Sequence, residues 1–256
     1  MSGRVALATA RRLLTQLRHD PRTIALVLGV PVLLVTLLKY VFLGNPAVFG
    51  RIGGPLLGLF PFTSMFVVTS ITVLRERMTG TLERLLTMPL AKLDLLLGYA
   101  LAFSVLAALQ TGLVSGIALG PLDLSVRVSP WAVVGLAIEN ALLGMSLGLF
   151  ASAFARTEFQ AVQFLPAFVF PQLLLCGLFV PRARMAHPLE VLSYGMPLRY
   201  AYDALDRVTK HGSLGGWGMA DVVVAFVLTL LALVLGAATG ATGLDEAFLR
   251  LIEGAP

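Results

Sequence analysis

Residues that could catalyse a reaction or bind a metal are few and widely separated in this 256-residue chain. The three histidines lack the paired spacing of a metal site: His19, His187 and His211. One cysteine, Cys176, permits neither an internal disulfide nor a cysteine cluster. There is no G-x-x-x-x-G-K-[ST] loop to bind nucleotide phosphates, and Ser193 and Ser213 have no G-x-S-x-G context. We therefore predict that the chain has no catalytic site and no metal of its own.

Segment 75–90, RERMTGTLERLLTMPL, is a charged block between two long apolar segments. With a helical period, the leucines here and just beyond fall on or near one face: Leu82, Leu85, Leu86, Leu93, Leu96 and Leu97. Gly80 and Pro89 indicate two short helical pieces rather than one long helix. Such an amphipathic block, held on one face of a membrane protein, could dock a soluble partner. The alternative is a solvated loop whose charges stop membrane insertion.

Glu139 is the one acid well inside a long apolar segment. Burying a charge at bilayer depth is costly, so Glu139 either faces a polar path for a solute or lies near the outer interface, eight residues after Trp131. Asn140, Gln110 and Gln163 are further candidates for that path. For the two glutamines, hydrogen bonding between helices is the alternative role.

These residues must be positioned by a membrane bundle. The chain is 57% hydrophobic and 13% charged, whereas a water-soluble domain needs roughly a quarter of its residues charged. Only helices or closed barrels satisfy the backbone in lipid, and a spanning helix needs about 20 apolar residues. We predict an all-α polytopic membrane protein, one domain over 1–256, with six spans at 23–43, 52–74, 95–119, 131–154, 159–180 and 221–244. Two glycine pairs, 112/116 and 144/148, would allow close helix approach.

Residues 1–21 are predicted to form an amphipathic helix in the membrane interface. Arg4, Arg11 and Arg18 recur every seven residues, beside an apolar stripe that includes Leu7 and Leu14. The alternative is an unordered positive-inside signal. Lysines and arginines in this stretch and after the second span place the N-terminus in the cytoplasm, and six spans return the C-terminus to the same side. The last outer loop disagrees, because it also contains several cationic residues: Arg182, Arg184, Arg199, Arg207 and Lys210.

Three ordered motifs carry a family resemblance. Residues 76–90, ERMTGTLERLLTMPL, resemble the cytoplasmic segment after the second span in membrane subunits of type-2 ABC exporters. Residues 155–161, ARTEFQA, continue into an apolar helix with Pro166 and Pro171, and residues 196–205, MPLRYAYDAL, resemble the segment before that family's last span. The chain looks most like daunorubicin-resistance permeases, with small departures at Met78 and Cys176.

The resemblance implies a homodimeric or heterodimeric permease in the bacterial inner membrane, driven by a separate ATP-binding subunit, in two copies, that carries ATP and Mg²⁺. Segment 75–93 would be a cytoplasmic coupling helix, and 181–220 would form outer re-entrant helices. The residues expected to dock the ATPase are Arg75, Glu76, Arg77, Gly80, Thr81, Leu82, Glu83, Arg84, Leu85, Leu86, Pro89, Arg156 and Glu158. This chain would bind no cofactor itself.

The cargo is open to more than one interpretation. A mostly apolar interior favours a hydrophobic or amphipathic compound such as a drug or lipid, and the resemblance implies that it is moved out of the cytoplasm. The same machinery could export a glycan or a lipid-linked precursor. A membrane-embedded lipid-modifying enzyme would need a cluster of His, Asp or Glu near one interface, and none stands out. A structural membrane protein would not need a docking helix, and no nucleic-acid partner is expected.

Overall fold

The computed structural model describes residues 3–79, 92–124, 126, 129–211 and 215–252. Over these residues it is helical and contains no strand, as predicted. The elements are α1 (Gly3–Arg18), α2 (Pro21–Val41), α3 (Pro46–Met78), α4 (Lys92–Leu119), α5 (Pro130–Ser152), α6 (Glu158–Phe164), a π-helical turn (Leu165–Val169), α7 (Phe170–Leu175), a 3₁₀ turn (Arg182–Arg184), α8 (His187–Ser193), α9 (Pro197–His211) and α10 (Gly215–Ile252).

Five helices are long and apolar enough to cross a membrane. They are Pro21–Val41, Pro46–Met78, Leu97–Leu119, Pro130–Ser152 and Gly218–Gly236. These correspond to the first, second, third, fourth and sixth predicted spans. The second is longer than the predicted 52–74, because α3 begins at Pro46 and continues through Arg75–Arg77. The charged residues assigned to the start of a coupling helix therefore form the last turn of α3.

The fifth predicted span, 159–180, is not one regular helix. It consists of α6, the π-helical turn and α7, which have 7, 5 and 6 residues. Pro166 and Pro171 lack backbone N–H donors, and loss of such donors interrupts the regular α-helical hydrogen-bond ladder. The helix ends at Leu175, earlier than predicted, and Gly177 adopts φ +104°, which favours glycine. The six-span count therefore stays a prediction.

The predicted outer segment 181–220 contains the 3₁₀ turn, α8, α9 and the first residues of α10. The apolar face of α9 is buried, with Leu198 and Leu205 fully enclosed, and it packs on α3 and α5. The Leu198 N–H donates to Gln172 Oε1 (3.2 Å), which ties α9 to α7. That these helices re-enter the membrane from the outer side stays a prediction.

The tightest packing in the bundle joins α3 and α5. A Cβ atom added at Gly144 would lie 2.2 Å from the Phe62 carbonyl oxygen, and one at Gly148 would lie 2.5 Å from that of Phe66. The 144/148 pair is therefore the close helix contact that its spacing indicated. The 112/116 pair is not, because a Cβ at either position would meet nothing within 4 Å.

Helix α1 packs against α4 through its buried face, which includes Ala6, Ala10 and Leu13. Helix α2 begins directly after Asp20. Asp20 Oδ1 accepts from the Thr23 N–H (3.2 Å) and Oδ2 accepts from the Thr23 hydroxyl (2.6 Å), so Asp20 caps α2. These hydrogen bonds hold the pKa of the Asp20 carboxyl below its usual value.

Candidate functional site

Three consecutive side chains in the last turn of α3 contact three different helices. Arg75 contacts Glu158 of α6, Glu76 contacts α1, and Arg77 contacts the end of α5. Successive helical positions point about 100° apart, so adjacent residues can reach separate neighbours. We call residues 75–77 the α3 root, because they directly precede the segment that sequence analysis assigned to partner docking. The end of the bundle where the root meets α1 is the α1 end.

The contact with α1 is the most enclosed of the three. Arg12 Nη2 donates to both carboxylate oxygens of Glu76 (3.1 and 3.0 Å) and lies 3.4 Å from the Tyr99 hydroxyl on α4. The side chain of Glu76 is 5% exposed and that of Arg12 is 35% exposed. A carboxylate buried to this degree needs its cationic partner. The structure places Glu76, which was predicted to dock the ATPase, inside the fold, where it joins α3 to α1, and its part in docking stays a prediction.

The contact with α6 is bidentate and exposed. Arg75 Nε donates to Glu158 Oε1 (2.6 Å) and Nη2 donates to Oε2 (3.0 Å). The hydrogen bonds from Arg75 hold the pKa of the Glu158 carboxyl below its usual value. Thr157 caps α6 by accepting the Gln160 N–H (3.2 Å), and this fixes the helix start that carries Glu158. Two residues predicted to dock a partner are thus paired with each other.

The third contact is at the C-terminal end of α5. Arg77 Nη1 donates to the Ser152 carbonyl (2.7 Å), at the last residue of α5. The final carbonyls of a helix lack partners within the helix and carry its negative dipole end, so an arginine there is favourable. Together, the three contacts link the α3 root to α1, α5 and α6.

The remaining predicted docking residues divide into two groups. Arg156 precedes α6, and its N–H donates to Gln160 Oε1 (2.8 Å). Arg156 also lines an open groove of about 770 Å³ with Phe154, Gln160 and Gln163. Of these residues, Gln163 was predicted to line the export path. Eight others lie outside the described residues: Gly80, Thr81, Leu82, Glu83, Arg84, Leu85, Leu86 and Pro89.

The polar residues proposed for an export path do not converge on one cavity. Gln110 is buried and its Nε2 donates to the Val27 carbonyl (2.6 Å) and Ser64 Oγ (2.7 Å), joining α4 to α2 and α3. Asn140 is buried between α5 and α9, where Nδ2 donates to the Ala201 carbonyl (3.3 Å). The contacts of Gln110 are hydrogen bonds between helices, which was the alternative role given for it in the sequence analysis.

Glu139 and Gln163 lie in other surroundings. Glu139 on α5 is partly buried and accepts a hydrogen bond from the Thr229 hydroxyl of α10 (3.2 Å). That hydroxyl is also 3.0 Å from the Ala225 carbonyl of its own helix. Gln163 lies on α6 in the open groove. Each of the four path candidates therefore faces a different set of helices.

Sequence reasoning missed several polar groups inside the bundle. The hydroxyls of Thr69, Thr111 and Ser115 are buried, with no hydrogen-bond partner among the described residues, as is the Gln110 Oε1 atom. Nothing in the apolar pattern marks them, since threonine and serine are common in helices that pack closely in membranes.

The sequence Gly-Met-Ser-Leu-Gly at 144–148 fits the G-x-S-x-G pattern of a nucleophilic serine. That chemistry needs the serine on a sharp turn from strand to helix. Ser146 instead lies in the middle of α5, where its hydroxyl donates to the Leu143 carbonyl (2.9 Å). Among the described residues there is also no group of His, Cys, Asp or Glu that could hold a metal ion.

Comparison with known proteins identifies relatives over most of the chain. The model of a family described as "ABC-2 type transporter" matches residues 4–208. The "Probable multidrug ABC transporter permease YbhR" of Escherichia coli (strain K12) is 28% identical over 160 residues, which cover 62% of this chain and 44% of that protein.

Two further relatives come from other organisms. The "Linearmycin resistance permease protein LnrN" of Bacillus subtilis (strain 168) is 25% identical over 179 residues, covering 64% of this chain and 44% of that protein. "ABC transporter G family member 20" of Dictyostelium discoideum is 26% identical over 172 residues, covering 67% of this chain and 23% of that protein. The chain spans less than half the length of these curated relatives.

Proposed function

The chain belongs to the ABC-2 type transporter family, and on that premise we propose that it is the permease subunit of an ATP-driven exporter worked by a separate ATP-binding subunit. The ATPase would bind at the α1 end, on the segment that follows the α3 root. The permease would hydrolyse nothing itself, and ATP and Mg²⁺ would be bound by the partner.

The observation that carries this proposal is the α3 root. A force applied to the segment after Met78 would act first on residues 75–77, which are joined to α1, α5 and α6. Coupling between distant sites needs packed side chains or ion pairs that move together. The root provides these connections, so motion of a docked ATPase would reach helices on three sides of α3.

The proposed assembly contains two permease chains, identical or homologous, and two ATP-binding subunits. It would lie in the bacterial cell membrane with both termini of this chain in the cytoplasm. Arg12 of α1 lies beside the arginines of the α3 root at one end of the bundle, and a positive-inside arrangement would put that end in the cytoplasm.

The proposed cargo is a hydrophobic or amphipathic compound, such as a drug or a lipid, moved outward. Two kinds of observation support it. The names of two bacterial relatives refer to multidrug transport and to linearmycin resistance. Within this chain, the groove beside α6 combines aromatic side chains, Phe154 and Phe164, with the polar Arg156 and Gln163, which suits an amphipathic molecule.

The test combines this chain with an ATP-binding protein that carries a G-x-x-x-x-G-K-[ST] loop and is encoded beside it. Both would be co-expressed, purified as a complex and reconstituted in liposomes. We expect Mg²⁺-ATP to drive uptake of ethidium, an amphipathic cation, or of a fluorescent phospholipid only when both proteins are present. Transport by this chain alone, or failure of the two proteins to form a complex, would contradict the proposal.

The role of the α3 root has its own variant. Glu76→Gln removes the negative charge that pairs with Arg12 but leaves segment 80–91 unchanged, so the complex should still assemble. ATP-driven uptake should fall by about tenfold, equivalent to ~1.4 kcal/mol of lost coupling. The control is Arg51→Gln, an exposed position at the other end of α3. Equal transport by the two variants would show that the root does not transmit the motion.

A further inference from the structure

An open groove of about 400 Å³ runs between α1 and the exposed side of α4. We call it the α1–α4 groove. It lies at the α1 end and is separate from the contacts of the α3 root. Its lining residues are Leu7, Ala10, Arg11, Leu14, Thr15 and Arg18 of α1, with Leu101 and Val105 of α4.

The α1 wall alternates apolar and cationic side chains. Leu7, Arg11, Leu14 and Arg18 are spaced by four, three and four residues, so they form one stripe along the helix. Leu7 is 64% exposed, and both arginines are exposed. Neither guanidinium has an ion-pair partner in the part of the chain that the structure describes, unlike that of Arg12 beside them. This stripe of α1 therefore presents two arginines, without ion-pair partners among the described residues, next to exposed apolar side chains.

The α4 wall continues well beyond the groove. Leu101 and Val105 are followed at the same spacing by Leu109 and Leu113, and all four side chains are between 42% and 61% exposed. Twelve residues of helix extend about 18 Å, which is more than half the ~30 Å thickness of the hydrocarbon core. An exposed apolar ridge therefore leads from the two arginines along the outer surface of α4.

The two walls are held firmly together. A Cβ added at Gly98 would lie 2.5 Å from Thr9 Cβ, so α1 and α4 touch directly at that point. The Arg12–Glu76 ion pair and the nearby Tyr99 hydroxyl fix α1 one turn away. The position of the groove is thus set by packed backbone and a buried ion pair, rather than by flexible side chains.

We propose that the α1–α4 groove is a binding site for an anionic phospholipid. The phosphate of the headgroup lies between Arg11 and Arg18, and one acyl chain follows the ridge from Leu101 to Leu113. A free phosphate would leave the apolar part of the groove uncovered, whereas a zwitterionic lipid brings its own cation to the two arginines. Anionic lipid satisfies both parts of the groove, since clustered arginines at the interface attract negative headgroups. This inference does not depend on the proposed transport activity.

The test is native mass spectrometry of the full chain in detergent, with phosphatidylglycerol and phosphatidylcholine titrated separately. We expect phosphatidylglycerol to bind with an affinity at least about tenfold higher. The double variant Arg11→Gln/Arg18→Gln should lose about tenfold of that affinity. The control Arg22→Gln/Arg51→Gln, an equal charge change at two exposed arginines outside the groove, should stay within about twofold of the unmodified chain.

Two further arms identify the ligand and its position. Val105→Trp fills the groove without changing charge and should weaken phosphatidylglycerol binding, while millimolar inorganic phosphate should not displace the lipid. Equal binding of the two lipids, displacement by phosphate, or equal effects of Arg22→Gln/Arg51→Gln and Arg11→Gln/Arg18→Gln would overturn the proposal. So would a disulfide between two chains carrying Leu101→Cys in a Cys176→Ser background, because a second copy would then occupy the groove.

Discussion

The ion pair between α1 and the α3 root permits a quantitative test. Arg12→Gln leaves the Glu76 carboxylate, which is 5% exposed, without its cation. Breaking a fully buried ion pair by removing one partner costs about 3–5 kcal/mol, whereas an exposed pair contributes about 0–1 kcal/mol. Arg12 is 35% exposed, so solvent replaces part of the lost interaction. We expect the free energy of unfolding to fall by about 2 kcal/mol, between these limits.

Cys176 provides the assay. It is the only cysteine and is fully buried, so a thiol-reactive fluorescent dye reports unfolding in detergent without further labelling. A double-mutant cycle with Arg12→Gln and Glu76→Gln isolates the interaction between the two side chains. We expect a coupling energy of about 1.5–3 kcal/mol, the range for hydrogen bonds to charged groups.

Arg4→Gln is the matched control, because Arg4 is an exposed arginine on the same helix. It should change the free energy of unfolding by no more than about 0.5 kcal/mol. If Arg12→Gln destabilises the protein no more than Arg4→Gln, or if the effects of Arg12→Gln and Glu76→Gln simply add, α1 is not held by this pair.

Two other predictions follow from packing and charge. Gly144→Ala forces a methyl group against the Phe62 carbonyl and should lower the free energy of unfolding by about 1–3 kcal/mol, whereas Gly112→Ala, in open space, should be neutral or stabilising by up to ~1 kcal/mol in the same dye assay. The second concerns pH. Because the pKa of Glu158 is lowered in the fold, its contact with Arg75 stabilises the protein above the usual carboxyl value of 4.5 and is lost as pH falls through the lower folded-state pKa. Carboxyl NMR should show this titration, and Glu158→Gln should abolish it; a Glu158 pKa at or above 4.5 would contradict it.

The long apolar helices could be predicted from the sequence because lipid imposes a simple condition on each segment separately. An apolar stretch of sufficient length must satisfy its backbone internally, whatever its neighbours are. The segment 158–175 shows the limit of that reasoning. Pro166 and Pro171 were visible in the sequence, but the formation of a π-helical turn at Leu165–Val169 depends on how the helix packs.

The glycine pairs show the same limit. The pairs 112/116 and 144/148 have identical spacing, yet only the second lies against another backbone. Spacing fixes which face of a helix the two glycines share, but not what that face meets. The polar candidates Gln110, Asn140 and Glu139 likewise share an apolar context in sequence and were separated among different helices by the fold.

The sequence by itself determined the helical class, the long apolar segments, the charged block at 75–90 and the motifs of the family. Only the tertiary structure decided what the charges of the α3 root do. The partners of Glu76, Arg75 and Arg77 lie 64, 83 and 75 residues away along the chain. Helical geometry makes these neighbours point in different directions, but which side chain each one meets depends on the packing of helices that are distant in sequence.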